Sequence, residues 1–137
     1  MNKTAHQLDL FKNLSLNPTY EIKRQIRLAL AGSYLSRNEI ADRMNEISAA
    51  EGMRKSITKA QIDNWAKDSD PDRLPSLPWL TIFCVVMNTA APITAMIRPL
   101  GAEIISGEDA LVLKWGRAEI AKKDAMKRAR LALEAIE

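Results

Sequence analysis

The 137 residues, 15.3 kDa, suit one compact domain with an appendage, and 47% apolar against 27% charged residues supply both a core and a soluble surface. Cys84 is the single cysteine and His6 the single histidine, which excludes a disulfide framework, a cysteine-based zinc site and His-rich metal cages, and leaves hydrolytic triads little material. Twenty Lys and Arg against 17 Asp and Glu give a net charge of +3, which permits a nucleic-acid partner without demanding one. The first thirty residues show no secretory leader, and the most apolar stretch, Trp79 to Ile97, is interrupted at Asn88–Thr89 and Ala91–Pro92, too soon to cross a bilayer. A cytoplasmic, reduced chain away from membranes is expected.

The chain reads as helix almost throughout, after a mixed lead-in over residues 1–16. Asn17–Pro18 is an N-cap with proline at the first helical position. Tyr20, Ile22, Ile26, Ala29 and Leu30 then recur at helical spacing, predicting a helix over about 18–31 stopped by Gly32. Ser36 with Glu39 three residues on forms a capping box, and Leu35 with Ile40 forms its hydrophobic staple. They open a second helix from Arg37 to about Ile47, burying Ile40, Ala41, Met44 and Ile47. The same device recurs at Thr58 and Gln61, with Ile57 and Ile62 as staple, and opens a short third helix over about 59–67 with Ile62 and Trp65 inward. Each cap contributes on the order of 1 kcal/mol, so both starts are well fixed. Between them Ser48 to Ser56, small and polar around Gly52, reads as a loop.

Asp68 to Pro75 is a turn-rich connector. Ser76 caps a fourth helix of about 77–88 on which Leu77, Leu80, Phe83, Cys84 and Met87 share a face. A weaker fifth helix follows Ala91–Pro92 and ends near Arg98–Pro99, and Ile104–Ile105 reads as a short extended piece. Ser106 caps the last helix, about 108–136, with Glu108 and Asp109 in its first turn. Along it Leu111, Trp115, Ala118, Lys122, Ala125, Ala129, Ala132 and Ile136 alternate spacings of four and three. A seam lined by alanine lets helices approach closely but buries little area per layer. Residues 101–137 are therefore expected to be an oligomerisation or packing arm appended to a helical domain over 1–100.

Two short capped helices followed by a proline-closed helix suggest a DNA-reading module. The string Leu35-Ser36-Arg37-Asn38-Glu39-Ile40-Ala41-Asp42-Arg43-Met44 resembles the first helix of the helix-turn-helix in lambda-repressor-like (Xre-type) regulators. Thr58-Lys59-Ala60-Gln61-Ile62-Asp63-Asn64-Trp65 is similar to their recognition helix, and Arg73-Leu74-Pro75-Ser76-Leu77-Pro78-Trp79-Leu80 to the opening of the helix that follows. The likeness covers about residues 18–98, and the layout also resembles small regulatory proteins of Mu-like phages and prophages. It implies an all-α, lambda-repressor-like helix-turn-helix domain with a long C-terminal helix. The function implied is a transcriptional regulator, not an enzyme, that binds double-stranded DNA as a homodimer or higher homo-oligomer without cofactor or metal. By the same resemblance Arg37 touches a backbone phosphate; Lys59, Ala60 and Asn64 stand at base-edge positions, and Gln61 and Asp63 at their margin. The chemistry agrees, since Asn pairs with adenine and Lys with guanine in the major groove.

The sequence also departs from the family pattern. About ten residues, Ser48 to Ile57, stand where the family's turn has a few, and they bring Arg54 and Lys55 with them. The connector carries Asp68, Asp70 and Asp72, which repel phosphates if they face them. The positive excess lies in residues 1–35, with five basic and two acidic groups, whereas residues 36–75 hold seven basic and eight acidic. Lys23, Arg24 and Arg27 offer either phosphate contacts or a solvated surface. A protein-interaction adaptor on the same scaffold is the alternative function. Trp65 and Trp79 read as core aromatics, Trp115 as an interface anchor and Cys84 as a buried small hydrophobe. The bases from Lys122 to Arg130 read as a solvated face, because Glu119, Asp124 and Glu134 lie among them.

Overall fold

A computed structural model describes residues 16–136. The expectations placed on His6 and on the rest of the lead-in before Leu16 lie outside the described residues. Those described form six α-helices, one 3-10 turn and no strand: α1 (Thr19–Gly32), α2 (Arg37–Ala50), α3 (Lys59–Ala66), α4 (Leu77–Met87), α5 (Ala91–Ile97), a 3-10 turn (Arg98–Leu100) and α6 (Gly107–Ile136). They divide into two compact units, one ending at Glu103 and one beginning at Ile104. The fold is all-α.

In the first unit α1 packs on α3 and α5, α2 on α3 and α4, and α4 on α5. Ile26, Ile40, Met44, Ile62 and Phe83 are fully enclosed where these helices meet, with Trp65 and Trp79 beside them. Full burial of one such side chain stabilises the fold by about 1.5–3 kcal/mol. Cys84 is buried on α4, and desolvation pushes its thiol above the usual range although a backbone hydrogen bond at Ile93 opposes this. Leu77 departs from the expected inward face of α4 and is 64% exposed; Ile82 and Trp79 take the buried positions instead.

The helix ends show which sequence signals act. Ser36 Oγ accepts from the Glu39 amide at 3.1 Å, but among the described residues no return bond from the Ser36 amide to the Glu39 carboxylate completes the expected box. At Thr58 both halves form: Thr58 Oγ1 accepts from the Gln61 amide at 3.4 Å, and Gln61 Oε1 from the Thr58 amide at 2.9 Å. Ser76 stands at the N-cap of α4 without a side-chain cap bond, Pro78 in the first turn having removed one amide that needs a partner. Gly32 stays helical instead of supplying a left-handed stop, and the chain leaves α1 through Ser33 in extended backbone. Ile104–Ile105 forms no strand.

α2 continues past Ile47 to Ala50, so part of the expected loop is helix. Its stop is Gly52 at φ 75°, a left-handed conformation that glycine adopts without steric penalty. There Gly52 N donates to Ala49 O at 3.1 Å and Met53 N to Ser48 O at 2.9 Å. The remaining connection is tied to α2 by side chains. Asn45 Nδ2 donates to Ile57 O at 2.9 Å while its Oδ1 accepts from Ile57 N at 2.8 Å, and Ser48 Oγ donates to Lys55 O at 3.1 Å. With Ile57 buried, the long turn is an ordered part of the unit that fixes where α3 begins.

In the second unit Ser106 Oγ accepts from the Asp109 amide at 3.2 Å and caps α6, which has no buried residue.

Candidate nucleic-acid interface

Eight residues make a helix too short to hold itself in water, so neighbours must set the pose of α3. Its start is set by the Thr58 box and its inner face by Ile62, Trp65 and Ala66. Its end is gripped from α1. Lys23 is fully buried, and its ammonium donates to the carbonyls of Asn64 at 3.0 Å, Trp65 at 3.3 Å and Arg73 at 2.8 Å. Three carbonyls match the three N–H donors of an ammonium, and a cation is well placed at a helix C-terminus. Burial pulls the Lys23 pKa below the usual lysine range; Asp68 and Asp70 oppose that pull and Arg27 adds to it. Arg27 donates to Ala66 O at 2.9 Å and pairs with Asp68 at 2.7 Å. Of the basic residues on α1, Lys23 and Arg27 turn onto α3 and its connector, and Arg24 pairs with Glu21 at 3.2 Å. The buried ammonium and the Arg27 pair also account for part of the acidic connector.

Lys59, Ala60, Asp63 and Asn64 lie one turn apart on the outward side of α3, and the structure brings Arg37, the first residue of α2, to the same place. One Asp63 oxygen accepts a short hydrogen bond from Arg37, and the other lies 3.4 Å from Lys59 Nζ. The three groups form one cluster with a net charge of +1, its cations half in solvent. Asn64 is half-buried, and its side-chain amide makes no hydrogen bond among the described residues. Gln61 is drawn back into the Thr58 cap, so its carbonyl end is occupied. A shallow open cleft beside this face is lined by Gln61, Asn64, Trp65, Arg73 and Leu74. Arg54 and Lys55 are exposed on the loop before α3.

The hydrogen bond from Arg37, with a second from Lys59, holds the Asp63 carboxyl below its ordinary pKa of 3.8. A depressed carboxylate pKa contributes stability that is fully present above the unfolded value and lost as pH falls through the folded one. An Asp63→Asn variant is therefore expected to be less stable than the parent by a constant margin above about pH 5, with the margin closing below about pH 4. Urea midpoints measured between pH 7 and pH 2 check this; a margin that persists at pH 2 assigns it to packing instead.

Sequence reasoning missed Lys23 and Arg27 as the residues that orient α3. A signal was present, since Lys23 stands three and seven residues before Ile26 and Leu30 on the face that α1 buries. Among the described residues no group of three His, Cys, Asp and Glu is placed to hold a metal ion, and no helix is long and apolar enough to cross a membrane. No protein-family model, curated protein or solved structure matches the chain.

Proposed function

We propose that this chain is a sequence-specific transcriptional regulator of the phage or prophage type. In this reading the first unit is a lambda-repressor-like helix-turn-helix domain that binds double-stranded DNA in the cytoplasm, and the protein is a homo-oligomer without catalytic activity. The observation that carries it is the outward face of α3: Lys59, Ala60 and Asn64 stand clear of the core on a short helix fixed at both ends, with Arg37 beside them. Asn64 offers a paired donor and acceptor to adenine, Lys59 a donor to guanine, and Ala60 a methyl group to thymine, while Arg37 meets a phosphate. Asp63 holds both cations in place until phosphate and base edges compete for them. Gln61 contributes as a cap more than as a contact.

A protein-interaction adaptor is the second reading, and it is favoured by the self-neutralised Arg37–Asp63–Lys59 cluster and the exposed acids of the connector. Titration of the full chain against labelled genomic fragments separates the two. The regulator binds a subset of fragments, and its log affinity falls with log salt by about 0.9 for each phosphate neutralised. Absence of binding at low salt sinks this reading and leaves the adaptor.

A further inference from the structure

α6 spans 30 residues, about 45 Å at 1.5 Å per residue, and none of them is buried. Leu111, Trp115, Met126, Leu133 and Ile136 nevertheless fall on one side of it, each 64–82% exposed, with Ala118, Ala125 and Ala129 between them. An apolar stripe of this length on one face of a helix is the mark of a helix made to be covered. Leu111 and Trp115 stand in the N-terminal half, Ala125, Ala129 and Ala132 alternate with Met126, Leu133 and Ile136 in the C-terminal half, and Lys122 interrupts the stripe between them.

We infer that α6 pairs with α6 of a second copy in antiparallel orientation; this rests on the homo-oligomer proposed above and adds the partner and its direction. Parallel pairing sets every stripe residue against its own copy. Trp115 then meets Trp115, and Lys122 is pressed against Lys122 inside the seam, where like charges are most costly. Antiparallel pairing lays Leu111 and Trp115 of each copy over Ala129 and Ala125 of the other, so the largest side chain of the stripe meets a small one. It moves Lys122 to the turn that holds Ala118 and Glu119 of the second copy, opposite a carboxylate. It also brings the acidic start of the helix, Glu108 and Asp109, toward Arg128 and Arg130 of the second copy. The charge distribution along α6 and the avoided contacts of Trp115 with Trp115 and Lys122 with Lys122 select this direction.

A nitroxide placed at Ile136→Cys in the full chain tests the direction by dipolar spectroscopy, with sedimentation of the same sample giving the mass. Cys84 is buried, and the parent protein serves as the control for its labelling. The antiparallel pair puts the two labels about 35 Å or more apart, a parallel pair about 20 Å or less. A dimer with the short distance overturns the direction alone. A monomer by sedimentation, with no dipolar coupling, overturns the homo-oligomer itself. Trp115→Ala, which shortens the largest knob of the seam and lies outside the first unit, is expected to weaken the pair at least tenfold while the label distance in the remaining dimer is unchanged. Self-association indifferent to that substitution overturns the role of this stripe.

Discussion

Replacement of Lys23 by methionine is expected to lower the stability of the first unit by about 3 kcal/mol. Methionine keeps most of the volume of the lysine stem, so the change removes three donors and little packing. The carbonyls of Trp65 and Arg73 lose the Lys23 bond, and Asn64 O is left with the Lys67 amide alone. A stranded buried acceptor costs about 1–3 kcal/mol, and two of them already exceed what a surface substitution usually does. Two effects reduce the sum. The buried ammonium itself carries a desolvation penalty that methionine relieves, consistent with the lowered Lys23 pKa, and the Asn64 and Arg73 ends are near enough to solvent to recover water. A loss of 3 kcal/mol moves the thermal midpoint of a unit this size by about 12–20 °C. Urea unfolding checks the magnitude. Hydrogen exchange checks the location, because protection should fall first at the amides of α3 and the connector. An unchanged midpoint would show that the three bonds have no net worth.

The second large effect concerns recognition. Lys59→Ala and Asn64→Ala remove side chains from the outward side of α3, so neither should change the unfolding free energy by more than about 0.5 kcal/mol. Each is expected to cost about 1–3 kcal/mol in discrimination between a preferred site and arbitrary sequence, and the double variant about a hundredfold or more in that ratio. Arg37→Ala should behave differently. It lowers affinity for all sequences alike and reduces the salt slope by about one, as loss of a phosphate contact does. Competition titrations with a selected fragment against bulk DNA measure the ratio. A double variant that keeps the parent's selectivity refutes α3 as the reading element.

Capping was the part of this fold most open to reading from sequence, because a cap is local. Thr58 and Gln61 are three residues apart, and their reciprocal bonds form as the spacing requires. Ser36 gives half of the same result, since its hydroxyl is committed by geometry whereas the Glu39 carboxylate can be satisfied by water. The end of α2 was less legible. Ser48 reads as a loop residue by composition, yet its hydroxyl is spent on Lys55 O and the helix runs on until Gly52. The candidate interface divides in the same way. Lys59, Ala60 and Asn64 are placed by the period of α3 once its start is known. That Arg37 and Asp63 meet was not legible, since 26 residues separate them. Lys23 was the hardest: its partners are main-chain oxygens 41 to 50 residues away, which leave no signature in side-chain type.

That last feature has an evolutionary corollary. The polar grip on the end of α3 takes hold of the oxygens of Asn64, Trp65 and Ala66, groups that every amino acid possesses. Outward positions 59, 60 and 64 can therefore be exchanged without loosening the mount that orients the helix. A lineage carrying this scaffold can rewrite the exposed surface one residue at a time, much as a tool holder accepts a new bit, with the pose inherited and only the edge renewed.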